Sequence, residues 1–285
     1  MRCAPILPAA LLAASALLGC ASASPHQHGP SDPSDERRAP RVCPTPRYTI
    51  VDLTHRLHDK LPVWPRGVGF EMKRLSDHAD GYRAHELHMG EDVGTHVDAP
   101  AHFVSGGSSA AELAASELVV PVVVIDLRDR VKRDPDYAFS ANDIVDWEDA
   151  HGPVPVGGLV VLLTGWSEKF GDPVAYLGQD DQGRMHFPGI GKDAAALFVE
   201  RDVIGVGIDT MSLDPGISED FPAHRTLLGA GKYAIENLVH LDALPVSGAT
   251  AIVGVLPIVE GSQAPARVLA MVPEGGEKAD EEEAR

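Results

Sequence analysis

Six short β-branched and aliphatic runs constrain the fold of this chain most. They cover residues 48–53, 118–127, 158–164, 203–208, 249–258 and 267–272. Runs of this length suit buried strands, and helical patterns lie between some of them. Ser140 is placed to N-cap a helix over 141–150, with Asp143 in its first turn. A second helix is expected over 192–201, with Ala195, Ala196 and Val199 on the packed side and Lys192, Asp193 and Glu200 in water. The alternation predicts one α/β domain over residues 47–273, with a central mixed sheet flanked by helices. A chain of 285 residues is long enough to bury such a core.

Charge and cysteine usage exclude several function classes. Acidic residues number 42 and basic residues 24, a net charge of −18. A surface this acidic repels phosphate backbones and argues against nucleic acid as a partner. The cysteines are Cys3, Cys20 and Cys43, so the domain offers no disulfide framework, thiolate metal site or Cys nucleophile. There is no Gly-x-Ser-x-Gly elbow and no P-loop. Gly205-Val206-Gly207 lacks the third glycine of a dinucleotide turn and lies inside a strand-like run.

The flanks read differently from the middle. Met1-Arg2 precedes a short run rich in Ala and Leu over residues 4–18, the pattern of a secretory signal and too short for a permanent span. Its end, Leu17-Leu18-Gly19-Cys20, resembles the bacterial lipoprotein signal. That resemblance implies cleavage of residues 1–19 and diacylglycerol on the Cys20 sulfur. Ala21, and not Asp, follows Cys20, which implies the outer membrane where the host has one. An ordinary signal cut at a later Ala would leave a periplasmic or secreted protein. Residues 20–46 carry six prolines and read as a linker, and residues 274–285 as an acidic tail expected to be disordered.

The segment with most chemistry runs Gly90-Glu91-Asp92-Val93-Gly94-Thr95-His96-Val97-Asp98-Ala99-Pro100-Ala101-His102-Phe103. Asp92, His96, Asp98 and His102 place four potential ligands or acid-base groups within eleven residues. Imidazole and carboxylate together suit Zn²⁺, Mn²⁺ or Fe²⁺. Gly94 and Pro100 oppose a helix, so a strand leading into a turn is expected. In an extended piece His96 and Asp98 share one side and can reach one cation. A turn at Pro100 would bring His102 back toward it.

Gly94 to Phe103 resembles the signature of the cyclase family of metal-dependent hydrolases, which includes bacterial kynurenine formamidase and isatin hydrolase. The resemblance extends over most of residues 48–258. Val51-Asp52-Leu53-Thr54-His55, Leu61-Pro62-Val63-Trp64-Pro65, Leu163-Thr164-Gly165-Trp166, Gly207-Ile208-Asp209-Thr210 and Ile235-Glu236-Asn237-Leu238 carry it in order, with Ser212, Asp214 and His224 between the last two. It implies metal ligation by Asp92, His96, Asp98, His224 and Glu236, acid-base catalysis by His102, and a homodimer or higher assembly. Trp64 is a candidate pocket wall. Asp209 and Asp214 are expected to organise the turn, and His55 to tie the first strand to the site or serve structure alone. Asp92 departs from the family, which usually has His four residues before His96. A carboxylate there makes the site richer in oxygen, favouring Mn²⁺ over Zn²⁺, and leaves open whether one or two ions bind.

The implied chemistry is hydrolysis of a C–N bond in an aryl formamide, amide or lactam, with no organic cofactor. A divalent cation acidifies water to a pKa of about 7 and polarises a carbonyl. An imidazole at His102 can take and return the proton. The alternative function is an inactive relative that holds a metal or ligand as a binding lipoprotein.

Overall fold

The computed structural model describes residues 47–274. The signal, Cys20 and the linker lie outside the described residues, as does the tail from residue 275. No helix among the described residues is long and apolar enough to cross a membrane.

The strands are β1 (Tyr48–Asp52), β2 (Glu71–Ser76), β3 (Ala84–His88), β4 (His96–Asp98), β5 (Val119–Asp126), β6 (Ala138–Phe139), β7 (Leu159–Leu163), β8 (Gly189–Ile190), β9 (Gly205–Ile208), β10 (Tyr233–Glu236), β11 (Ala249–Val255) and β12 (Gln263–Pro273). The helices are α1 (Arg128–Val131), α2 (Ala141–His151), α3 (Pro173–Leu177), α4 (Lys192–Glu200) and α5 (Pro222–Gly229). Strands β5, β7, β9 and β10 are parallel neighbours. β11 runs antiparallel to β5 and β12, and β4 antiparallel to β10 and β12. The ring β12–β11–β5–β7–β9–β10–β4 therefore closes on itself.

The expected central sheet is mixed, as the alternation implied, but it is a closed, barrel-like sheet of seven strands rather than an open layer. The reason lies in β12. Its 11 residues pair in sequence with β4, with β11 and, at the far end, with β1. The partners that complete the ring are short: β4 has 3 residues and β10 has 4, and both end in polar site residues. Such strands leave no aliphatic run to read.

Side-chain alternation sorts the two faces of the ring. Val97, Val122, Val124, Leu159, Val161, Tyr233, Ile235, Ala251 and Val268 pack together in one cluster, the inward face. Val123, Ile125, Val160, Leu162, Val206, Ile208 and Ala234 belong to a second cluster, with Phe139 of β6, Ile144 of α2 and Phe198 of α4. β7 is buried on both faces, which is why it reads as an unbroken aliphatic run.

α2 begins where the sequence placed it: the Asp143 carboxylate accepts the Ser140 N–H at 2.9 Å and its hydroxyl at 2.6 Å. α4 buries Ala195 as expected, with Ala194 and Phe198 beside it, and Val199 packs half-buried on the same core, but Ala196 is not on that side. Its packed stripe is centred on Phe198, the largest apolar side chain it carries, and Ala196 is left exposed.

β8 matters for the site. A methyl group at Gly189 would collide with the backbone of Asp214 and Pro215, and backbone cannot swing aside as a side chain can. Gly189→Ala is expected to destabilise the protein by about 1–3 kcal/mol, the range for overpacking a buried position. Urea denaturation measures this; an unchanged midpoint would mean that β8 and the Asp214 segment are not held in register.

Candidate metal centre

Pairing of β4 with β10 sets Glu236 directly opposite His96 and Ala234 opposite Asp98. His96 and Asp98 share one face of β4, while Val97 between them points into the barrel interior. The two strands thus raise an imidazole and two carboxylates on the outer wall of the barrel. Ligand atoms of His96, Asp98 and Glu236 all lie within 4.8 Å of one another. His224 comes from the first turn of α5, above that wall. Asp214 fixes it: its carboxylate accepts the Ala223 and His224 N–H groups at 2.8 and 3.1 Å and faces His224 Nδ1 at 2.6 Å. One side chain thereby satisfies two free donors of a helix N-terminus and orients the imidazole.

The four side chains meet at close range. His96 Nε2 lies 3.4 Å from Asp98 Oδ1 and 3.3 Å from Glu236 Oε2. His224 Nε2 lies 3.2 Å from Asp98 Oδ2 and 3.0 Å from Glu236 Oε1. All four residues are buried, Asp98 completely. His96 Nδ1 faces the Gly94 carbonyl at 2.9 Å. A carbonyl only accepts, so Nδ1 carries the hydrogen and Nε2 faces the carboxylates.

The donor set fits a divalent cation. Asp98 Oδ2 is buried and has no hydrogen-bond partner, although two imidazoles and a second carboxylate converge on the same point. Two carboxylates this close repel unless a cation or protonated imidazoles lie between them. Burial alone pulls the His96 imidazole down, but Asp98 and Glu236 outweigh it and hold the ring well above its usual 6.5. His224 follows the same pattern: burial opposes its charge, and Asp214, Asp98 and Glu236 raise it well above 6.5. Burial pushes Asp98 up, but the two imidazoles outweigh it and hold the carboxyl well below 3.8.

The remaining expected residues surround the four. Trp64, Asp92 and His102 line the same cavity of about 270 Å³, with Phe103, Met211, Ser212, Phe221 and Gln263. A 3₁₀ turn over Pro100–His102 carries His102 there, and its ring lies 6.1 Å from that of His224. Asp92 faces the cavity but forms no ion pair with the four. Trp64 stands 6.2 Å from Phe221, and Phe103 stacks on His224 at 4.9 Å. A wider groove of about 1310 Å³ elsewhere, lined by Asp126, Arg128, Trp147 and Asp242, contains none of these site residues.

Asp209 and Asp214 organise structure. Asp209 is buried, is pushed up to about 6 by that burial, and accepts the Thr164 and Gly165 N–H groups at 3.0 and 2.9 Å. His55 stacks on Phe170 at 3.5 Å, outside the cavity lining, and burial lowers it to about 4. Gln263 was not anticipated. Its amide nitrogen lies 2.8 Å from Asp98 Oδ1 and 3.4 Å from His96 Nε2, and a 180° turn of the amide would present its oxygen instead. The only sequence signal for it would have been to extend the last aliphatic run back from residue 267 to 263. The Glu91 carboxylate fixes that entry, accepting the Ser262 and Gln263 N–H groups, each at 3.1 Å.

The family described as putative cyclase matches residues 51–215 of the chain. The chain belongs to that family. Isatin hydrolase of Roseibium aggregatum is 34% identical to it over 242 residues, covering 79% of this chain and 92% of that protein. Kynurenine formamidase of Geobacillus thermodenitrificans is 27% identical over 219 residues, covering 76% and 94%. Among solved structures, isatin hydrolase A from Labrenzia aggregata bound to benzyl benzoate superposes with a TM-score of 0.75 at 36% identity, covering 80% and 94%. An isatin hydrolase bound to the product analogue thioisatinate gives 0.76 at 32% identity, covering 80% and 93%. The matched segment of this cyclase-family chain contains His96, Asp98 and His102, and the longer alignments extend past residue 215.

The raised imidazoles set a pH dependence for the metal-free protein. A group raised in the folded state contributes stability that is complete below its unfolded value and is lost as pH rises through the folded one. His96 and His224 therefore stabilise fully below 6.5, and that contribution falls away above it. The metal-free protein is expected to melt at progressively lower temperature as pH rises above 6.5. A divalent ion, replacing the protons, should offset the loss. A metal-free melting temperature that is flat or rising across this range would contradict it.

Proposed function

We propose that this chain is a metal-dependent hydrolase that opens the C–N bond of an aryl amide or lactam, with an isatin-like lactam as the favoured substrate class. The observation that carries this reading is the convergence of His96, Asp98, His224 and Glu236 beside His102 in a cavity walled by Trp64, Phe103 and Phe221. Flat aromatic walls suit a flat aromatic substrate. The similarity to an isatin hydrolase and to kynurenine formamidases supports the lactam and formamide classes.

His96, Asp98, His224 and Glu236 would hold the ion, and Asp92 and Gln263 are within the same cavity to complete its shell or that of a second ion. With oxygen from Asp92, Asp98 and Glu236, the set favours Mn²⁺ over Zn²⁺. When bound, a divalent cation supplies polarisation of the carbonyl and a water acidified to near neutrality. The chain's own residues do the rest. Trp64, Phe103 and Phe221 seat the ring, and Asp214 keeps His224 oriented. His102 takes the proton of the attacking water and returns it to the leaving nitrogen, which cannot depart unprotonated.

The same reading extends to location and assembly. Cys20 would be the lipidated first residue of the mature chain, anchored to the outer membrane of a host that has one. Two acyl chains anchor stably where one binds marginally. Cys20→Ser should then move the protein from the membrane to the soluble fraction; unchanged fractionation would leave a periplasmic or secreted enzyme. A homodimer, expected from the family, is tested by molar mass in solution.

His102→Ala tests the catalytic assignment. Turnover of isatin should fall by about 10²–10⁴-fold, the usual contribution of a positioned acid-base group, with the bound metal unchanged. Loss of the metal together with turnover would make His102 a ligand. A metal-loaded parent protein that hydrolyses neither isatin nor aryl formamides would favour the inactive, ligand-holding alternative.

A further inference from the structure

Asn237 follows Glu236 at the end of β10. It is 1% exposed and lies outside the cavity lining. Its backbone is left-handed, φ +55°, a region that Asn enters more readily than other residues bearing a side chain. Every polar group of this residue is engaged. The backbone N–H donates to the Thr210 carbonyl at 2.9 Å, and the backbone carbonyl accepts the Thr95 hydroxyl at 2.6 Å. The side-chain oxygen accepts the Tyr176 hydroxyl at 2.8 Å. The side-chain nitrogen donates to the Gly94 carbonyl at 2.9 Å.

That last contact meets the site. The Gly94 carbonyl faces His96 Nδ1, also at 2.9 Å. A carbonyl oxygen has two lone pairs, here one for Asn237 and one for His96. Gly94 sits at φ +65°, where a glycine peptide turns easily, so its carbonyl direction needs a second anchor. We propose that Asn237 is a positioning residue: by holding the Gly94 carbonyl, it fixes the His96 ring with hydrogen on Nδ1 and aims Nε2 at the Asp98 and Glu236 carboxylates, with which it would hold a metal. The proposal rests on the metal-dependent reading above.

The partners of the Asn237 side chain keep other contacts without it. The Gly94 carbonyl retains His96, and the Tyr176 hydroxyl can turn its one proton to the Asp209 carbonyl, 3.1 Å away. Glycine also accepts φ +55° without strain. Asn237→Gly should therefore leave the metal-free fold intact and loosen the ligand alone. The test is Zn²⁺ affinity by competition with a chromophoric chelator, read beside the metal-free melting temperature and turnover at saturating Zn²⁺. The expected result is a 10–100-fold weaker affinity, the scale for removing an outer partner of a metal-bound imidazole. The melting temperature should stay within a few degrees, and excess Zn²⁺ should restore most of the turnover. Asn237→Asp reads the same loss independently, since it keeps an oxygen for Tyr176 but has no N–H for Gly94. Parental affinity in either folded variant would overturn the proposal, as would a fall in melting temperature and metal-saturated turnover without a change in affinity. A parent protein that binds no Zn²⁺ or Mn²⁺ would instead remove the metal-dependent reading, a result visible before any variant is made.

Discussion

The three residues of β4 are hydrogen-bonded along both edges, to β10 on one side and to the first residues of β12 on the other. Closure of the barrel and assembly of the site are therefore one event. The register that sets Glu236 opposite His96 also completes the ring, and the register that sets Gln263 opposite Asp98 completes its other seam. A slip of one residue in either pairing would send His96 and Asp98 into the apolar interior and Val97 into the cavity. Burying an imidazole and a carboxylate among Val122, Leu159 and Ile235 would cost far more than any alternative pairing could return. The charged residues thus help to dictate the register that places them.

The concentration of charge explains why the site is built as it is. Two carboxylates and two imidazoles, all nearly or fully buried, face one another at 3.0–3.4 Å. Without a cation such a group is held together by protons, which accounts for imidazoles held high and an aspartate held low. A divalent ion does the same work with a fixed charge and adds Lewis acidity. The supports around the four serve orientation: Asp214 behind His224, the Gly94 carbonyl behind His96, and the Leu213 N–H donating to Glu236 at 2.9 Å. These partners are drawn from loops more than 100 residues apart in sequence.

Much of this was legible in the chain itself. The long aliphatic strands and both long helices stand where their patterns placed them, because a run such as Leu159–Leu163 is apolar for a single reason, burial on both faces. The polar strands were not legible as strands. β4 and β10 alternate site residues with core residues over three or four positions, too few for a period to emerge. Closure followed from those short strands and was missed with them. At the site, the spacing of His96, Asp98 and His102 was informative because a strand and a turn at Pro100 dictate where they point. His224 and Glu236 came from family resemblance alone, since nothing local marks them. Gln263 and the bond from Asn237 to Gly94 depend on tertiary pairing and have no local signature.

Hydrolysis by this chain rests on a divalent ion held by the buried cluster. The most direct measurement is ring opening of isatin by protein stripped of metal and then titrated with Mn²⁺ or Zn²⁺, with bound metal quantified at each point. The stripped protein should show no turnover, and recovery should rise in step with bound metal until the site is full. Full turnover by the stripped protein, or none at any metal occupancy with isatin or an aryl formamide, would contradict that dependence.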